Sequence, residues 1–218
     1  MTITAKLYLA IALTVLAPVV TIGVALQGMS SLGDSFDEVQ DRSARRALAL
    51  DLKFGVTDVN GWQTAWGYDD GRSRPNFESA VADFRRDLRA AEEQFSDPEE
   101  LQLLEELETV FEDFMRLDEE AYAALLAGRE GETKSILLGP EIENFESMAG
   151  TAERLAAYEA RAAGQTEQDF DDERDAARKR LIALALGAAL VIVLLLLTAG
   201  DIARLALEGD RRRRDSDA

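Results

Sequence analysis

The chain is dominated by apolar residues that recur every three or four positions, which is the spacing of an α-helix with one apolar side. This pattern predicts four long helices. The first continues to about Tyr68, where the segment 69–75 is dense in turn residues. The second helix then follows a seam of alternating four- and three-residue steps, formed by Phe77, Val81, Phe84, Leu88, Ala91 and Phe95.

The third helix has a clear start in the sequence. Asp97 supplies an N-cap acid, Pro98 occupies the first helical position and Glu100 the third, which is the pattern of a capping box. This helix is predicted to end near Gly128. The stretch 131–138 is also helical in pattern, and a Gly-Pro pair interrupts it before the fourth helix continues.

Two stretches, 7–26 and 181–199, are apolar and long enough to cross a bilayer as helices. For the first, a cleaved secretory signal is the alternative, although its apolar run is longer than the usual signal core. Basic residues at Lys6 and 211–214 favour a cytoplasmic location for both termini, whereas the basic run 178–180 argues the other way. We expect a protein of the cell membrane with two spans and both termini cytoplasmic.

The predicted organisation is all-α, an elongated up-down four-helix bundle flanked by two transmembrane helices. Residues 1–6 form a cytoplasmic N-terminus, 7–26 the first span, 27–180 the extracytoplasmic bundle, 181–199 the second span and 200–218 a short basic cytoplasmic tail. The second helix would be about 30 Å long, while the first and fourth exceed about 55 Å. A section of four helices is therefore expected only at the end far from the membrane.

The amino-acid composition argues against several classes of function. The net charge of −18 disfavours nucleic acid as a partner. The chain has no cysteine and no histidine, which removes disulfides, thiol nucleophiles and imidazole chemistry. It also has no glycine-rich phosphate loop and no metal-binding signature. We therefore predict no enzymatic activity, no cofactor and no metal site.

The segment 58–66, DVNGWQTAW, follows a Leu-Lys-Phe triplet and resembles the first ectodomain helix of bacterial chemoreceptors. The segments 111–118 and 137–146 are similar to later parts of the same module. Together the resemblance covers roughly residues 7–200 and is to the four-helix-bundle sensor domain of methyl-accepting chemotaxis proteins. It implies a ligand-binding bundle in which the start of the last helix contributes contacts beside the first helix.

A helical wheel places Asp58 inside a broad apolar arc of the first helix and Gln63 at its edge. A buried carboxylate needs a partner, a water or a ligand, and a cationic or amine ligand would balance Asp58. The two tryptophans of this helix are either core side chains or the walls of a ligand pocket. The predicted ligand-binding residues are Asp58, Trp62, Gln63 and Trp66 of the first helix, with Glu141 and Phe145 opposite.

The resemblance implies a sensory protein that binds a small molecule or a binding protein and passes the signal across the membrane. The segment 200–218 is too short to form a HAMP linker and a kinase-control domain, so the signal is expected to pass through a partner. We expect the chain to form a homodimer or a mixed dimer with a full-length receptor. The alternative is a structural or accessory membrane protein whose bundle binds partner ectodomains without a small ligand.

Overall fold

The computed structural model describes residues 3–216, with side chains described without a gap over 18–200. Every regular element in that part of the chain is an α-helix, which confirms the all-α prediction. The helices are α1 (Ile3–Tyr68), α2 (Arg74–Gln94), α3 (Pro98–Leu126), α4 (Glu130–Leu137) and α5 (Pro140–Ser216). The chain divides into unit 1, which comprises Met1–Phe36 and Asp169–Ala218, and unit 2, which comprises Asp37–Gln168.

The turn between α1 and α2 lies where the sequence predicts it. Asp70 and Gly71 have positive φ angles of 59° and 84°, which reverse the chain after Tyr68. The carboxylate of Asp69 accepts hydrogen bonds from the backbone N–H of Ser73 (3.1 Å) and from its hydroxyl (2.5 Å). These bonds hold the pKa of Asp69 below its usual value and fix the entry into α2.

The predicted start of α3 is confirmed. Pro98 is its first residue, and Glu100 Oε2 accepts hydrogen bonds from the backbone N–H groups of Asp97 (2.9 Å) and Ser96 (2.8 Å). This reciprocal cap satisfies donors that have no partner within the helix, and caps of this kind contribute about 1 kcal/mol. The boundary between α2 and α3 is therefore set by local sequence.

The short helix α4 separates α3 from α5. Gly128 has a φ of 70° just after the end of α3, and α4 then returns along α3. The hydroxyl of Thr133 donates to the carbonyl oxygen of Ala121 at 3.3 Å, which ties α4 to α3. The break predicted after 131–138 is confirmed, because α5 begins at Pro140.

The core of unit 2 draws residues from α1, α2, α3 and α5. Its largest fully buried apolar side chains include Trp66, Phe77, Phe84, Phe111 and Phe114. The rings of Phe84 and Phe111 lie 4.8 Å apart and are tilted by 60°, which is a favourable aromatic arrangement. α5 contributes a buried stripe at intervals of four and three residues, formed by Met148, Ala152 and Leu155, with Ala156 next to Leu155.

The predicted apolar face of α1 is partly wrong. The structure buries a seam of alternating four- and three-residue steps, whereas Phe54 is 66% exposed and Trp62 36% exposed. Asp58 is exposed as well, so its predicted burial is incorrect. The helical wheel gives a broad apolar arc, whereas the neighbouring helices cover a narrower strip displaced to one side. That strip contains Leu52, Val56, Val59, Gln63 and Trp66.

Unit 1 contains the apolar stretches of α1 and α5. Each of these helices includes a stretch long and apolar enough to cross a membrane, and none of the described side chains in these stretches is buried inside the protein. Glu173 of α5 accepts a hydrogen bond from the hydroxyl of Ser35 at 2.5 Å, and the rings of Phe36 and Phe170 lie 6.3 Å apart. The predicted orientation depends on side chains of Lys6 and 211–214 that lie outside the described set, as do residues 1, 2, 217 and 218.

Two glycines of α1 provide a test of the packing in unit 2. A Cβ at Gly55 would lie 2.7 Å from Cδ2 of the buried Phe84, whereas a Cβ at Gly61 would have no neighbour within 4 Å. Gly55→Ala should therefore destabilise the protein by about 1–3 kcal/mol through overpacking. The matched control Gly61→Ala should be neutral or stabilise it by up to about 1 kcal/mol through better helix propensity. Thermal unfolding of the full chain in detergent, followed by circular dichroism, measures both, and equal melting temperatures for the two variants would contradict this packing.

Candidate functional site

The six residues predicted to form one ligand site lie in three different places. Two of them line a groove among α1, α4 and α5, two are buried in the core, and two lie on a second groove between α1 and α2. These pairs are Gln63 with Phe145, Trp66 with Glu141, and Asp58 with Trp62.

The first groove, named here the α1–α5 groove, has a volume of about 370 Å³. Its walls combine apolar side chains with a polar rim, which is the composition typical of small-molecule sites. Gly67 permits the close approach of α4, because a Cβ there would lie 2.5 Å from Cδ1 of Leu137. The lining residues are Asn60, Gln63, Thr64, Gly67, Tyr68, Lys134, Leu137, Leu138, Ile142, Phe145 and Glu146.

Gln63 is the most unusual residue of the α1–α5 groove. It is only 3% exposed, and its Nε2 has no hydrogen-bond partner among the described residues. An unsatisfied buried amide donor costs about 1–3 kcal/mol, so such a group is retained where something else satisfies it. Because Gln63 also lines the groove, a turn of its side chain would bring this donor to a ligand that presents a hydrogen-bond acceptor there.

A buried polar cluster around Asp118 joins α1, α2 and α3. The indole Nε1 of Trp66 donates to Asp118 Oδ1 at 3.2 Å, and the guanidinium of Arg74 donates to Oδ2 at 2.6 Å. The same guanidinium lies 4.7 Å from the ring centroid of Phe77 and 4.4 Å from that of Tyr122. Trp66 is thus a core residue with a structural hydrogen bond, and Arg74 is held by both charge and aromatic contacts.

The buried position of Asp118 is not among the predictions from the sequence. In the structure its side chain is fully buried. The spacing of the residues around it contained a signal, because Phe111, Phe114, Asp118 and Ala121 follow one another at steps of three, four and three. A carboxylate at a core position of such a seam indicates a buried partner, here Arg74.

Glu141 lies beside this cluster without a direct partner. It is 1% exposed, and neither of its carboxyl oxygens has a hydrogen-bond partner among the described residues. Burial raises the pKa of Glu141 to about 8; the charge of Asp118 adds to this effect and Arg74 opposes it. Burial likewise raises the pKa of Asp118 to about 6 against the pull of Arg74 and Trp66. Glu141 is therefore predominantly protonated at neutral pH.

A second buried polar cluster ties α1, α3 and α5 together. The guanidinium of Arg42 donates to Glu100 and to Asp97, both at 2.8 Å, and lies 4.0 Å from Glu159. The side chains of Glu100 and Glu159 are fully buried. Burial and the neighbouring Glu100 raise the pKa of Glu159 to about 8. Burial raises the pKa of Glu100, but the neighbouring Glu159 and the backbone N–H groups of the α3 cap outweigh it, so this pKa is lowered.

Comparison of the chain with protein-family models, with curated proteins and with solved structures finds no match. The resemblance to chemoreceptor sensor domains therefore remains a prediction from the residues. Within the described part of the chain, no group of three potential ligand residues is placed to hold a metal ion. The arrangement that stands out is a groove with apolar walls and one unsatisfied donor, which is suited to binding a small molecule.

The protonated state of Glu141 gives a pH dependence with a defined sign. The unfolded chain releases this proton near the ordinary pKa of 4.5 and the folded chain near 8, so folding retains the proton between these values. The free energy of unfolding should therefore fall as pH rises from about 4.5 to about 8. Glu141→Gln removes the titrating group at similar volume, and it should lessen this fall and raise the melting temperature above that of the wild type at pH of about 9.

Glu143→Gln is the matched control, since Glu143 lies in the same first turn of α5 but is exposed. Its melting temperature should follow the wild-type pH profile. Glu159 also contributes to the fall in the free energy of unfolding as pH rises, because its pKa is raised as well. Glu141→Gln should therefore remove only part of that fall. Melting temperatures of the full chain between pH of about 5 and about 9 test this, and an unchanged slope in Glu141→Gln would contradict the buried protonated carboxyl.

Proposed function

We propose that this chain is a membrane-anchored, chemoreceptor-like sensory protein. In this proposal the apolar stretches of α1 and α5 cross the cell membrane, and both termini are cytoplasmic. The segment between them forms an up-down four-helix bundle outside the cell membrane and binds a small molecule or a binding protein. The chain forms a homodimer or a mixed dimer with a full-length receptor, and the signal passes through a partner receptor.

One observation carries the proposal. The two helices that contain the apolar stretches are also the helices that line the α1–α5 groove, through Gln63 of α1 and Phe145 of α5. Each runs without a break from its apolar stretch into the core of unit 2. A ligand in the groove would therefore contact the same two helices that enter the membrane.

The mechanism follows from this connection. A ligand shifts a conformational equilibrium only by its difference in affinity for the two states. A small molecule that accepts a hydrogen bond from Gln63 and packs against Phe145 favours one packing of α1 against α5. A small displacement of either helix then carries that preference to the membrane, as in other receptors that work by helix shifts.

The first test asks whether the α1–α5 groove binds a ligand. The full chain in lipid nanodiscs is screened against a metabolite library by thermal shift, since a specific ligand raises the melting temperature by binding the folded state. Calorimetry then measures the affinity of each hit. Gln63→Leu should weaken the binding of a groove ligand by about tenfold or more, which corresponds to the loss of roughly one good hydrogen bond.

Gln102→Leu is the matched control, because Gln102 is exposed on α3 and lines neither groove. Its affinity for the hit should equal that of the wild type. The second test is co-purification from the native host, in which the sensory role requires a longer receptor to accompany the chain. If no metabolite stabilises the protein, the chain purifies only with itself and its deletion leaves chemotaxis unchanged, the sensory proposal fails and a structural or accessory role replaces it.

A further inference from the structure

The second groove, named here the α1–α2 groove, lies on the side of α1 that the core does not cover. It has a volume of about 860 Å³ and is open to solvent. Two large aromatic side chains stand in it, Phe54 and Trp62, which are 66% and 36% exposed. They are eight residues apart, so they lie about two helical turns apart on the same side of α1.

One glycine leaves the surface open beside the aromatic residues. Gly55 and Gly61 both line the groove, but the ring of Phe84 occupies the space beside Gly55, since a Cβ there would lie 2.7 Å from Phe84 Cδ2. At Gly61 the space is open, because nothing lies within 4 Å of a Cβ built there. The aromatic rings therefore border open space in which a small group can lie against them.

The polar residues of the groove are predominantly acidic. Asp58 lies one turn from each aromatic residue, Asp51 lies one turn before Phe54, and α2 contributes Asp87 and Arg86. Arg86 is engaged on α2, where it pairs with Asp83 at 2.5 Å and with Asp87 at 3.1 Å. No ion pair involves Asp51 or Asp58 within the described part of the chain.

We propose that the α1–α2 groove binds organic ammonium ions, such as quaternary amines. Two exposed aromatic rings with an unpaired carboxylate between them offer both forms of recognition that such a cation uses. The ring faces attract the cation, and the carboxylate supplies the opposite charge. The excess of carboxylates over cations in the groove disfavours an anion. This site is separate from the α1–α5 groove and does not depend on the proposed function.

The test uses the full chain in an uncharged maltoside detergent, because phosphatidylcholine would itself present a quaternary ammonium group. Calorimetry compares choline with its uncharged isostere, in which carbon replaces the quaternary nitrogen. The structure predicts that choline binds and that the isostere binds at least tenfold more weakly. The chain has two tryptophans, and Trp66 is fully buried, so choline should change the emission of Trp62.

Substitutions in the α1–α2 groove test whether choline binds there. Asp58→Asn and Trp62→Leu should each weaken choline binding about tenfold or more, and Trp62→Leu should also abolish the emission change. Asp41→Asn is the matched control, since Asp41 is exposed on the same helix and lies outside the groove. All three positions are on the protein surface, so the circular dichroism spectrum should remain that of the wild type.

Three results would overturn the proposal. The first is equal binding of choline and the isostere, or no binding of either. The second is unchanged choline affinity in Asp58→Asn. The third is an emission of Trp62 that changes with protein concentration and not with choline, which would show that a second copy of the chain fills the groove.

Discussion

The structure of unit 2 depends on the burial of the Asp118 carboxylate among helices that meet mainly through apolar side chains. A buried charge is tolerated only when it is paired and hydrogen-bonded, and Asp118 receives bonds from both Trp66 and Arg74. These three residues come from α3, α1 and α2. Apolar packing alone permits several rotations of each helix, whereas these directional bonds favour one. The position of Trp66 in the core follows from the same constraint.

Two other buried carboxyl groups of unit 2 avoid an unpaired charge by keeping a proton. The carboxyl oxygens of Glu141 and Glu159 have no hydrogen-bond partner among the described residues, and burial raises the pKa of both groups to about 8. Because each retains its proton at neutral pH, the core avoids the full cost of an unpaired charge. Arg42 meanwhile neutralises Glu100, the same residue that caps α3. Folding of this core is thus linked to proton binding as well as to apolar burial.

These constraints also leave two surfaces that the core does not use. The α1–α5 groove keeps one buried amide donor of Gln63 unsatisfied, and the α1–α2 groove keeps Phe54 and Trp62 in solvent. Both features cost free energy in the isolated chain, and a bound ligand offsets such costs. They differ in chemistry, since one offers a donor among apolar walls and the other offers aromatic faces beside carboxylates. Sensing through one groove and cation binding at the other are therefore separable.

The all-α class, the two apolar stretches and the boundaries of the helices follow from the sequence alone, because caps, turns and periodicity act over a few residues. The cap at Asp97 and the start of α5 at Pro140 are examples. The buried side of α1 depends on the packing of the other helices, which places Trp66 in the core and Trp62 outside it. The same packing separates the six predicted site residues into three places. Burial of a given side chain depends on neighbours distant in sequence, and helical periodicity alone defines an apolar arc too broad to locate them.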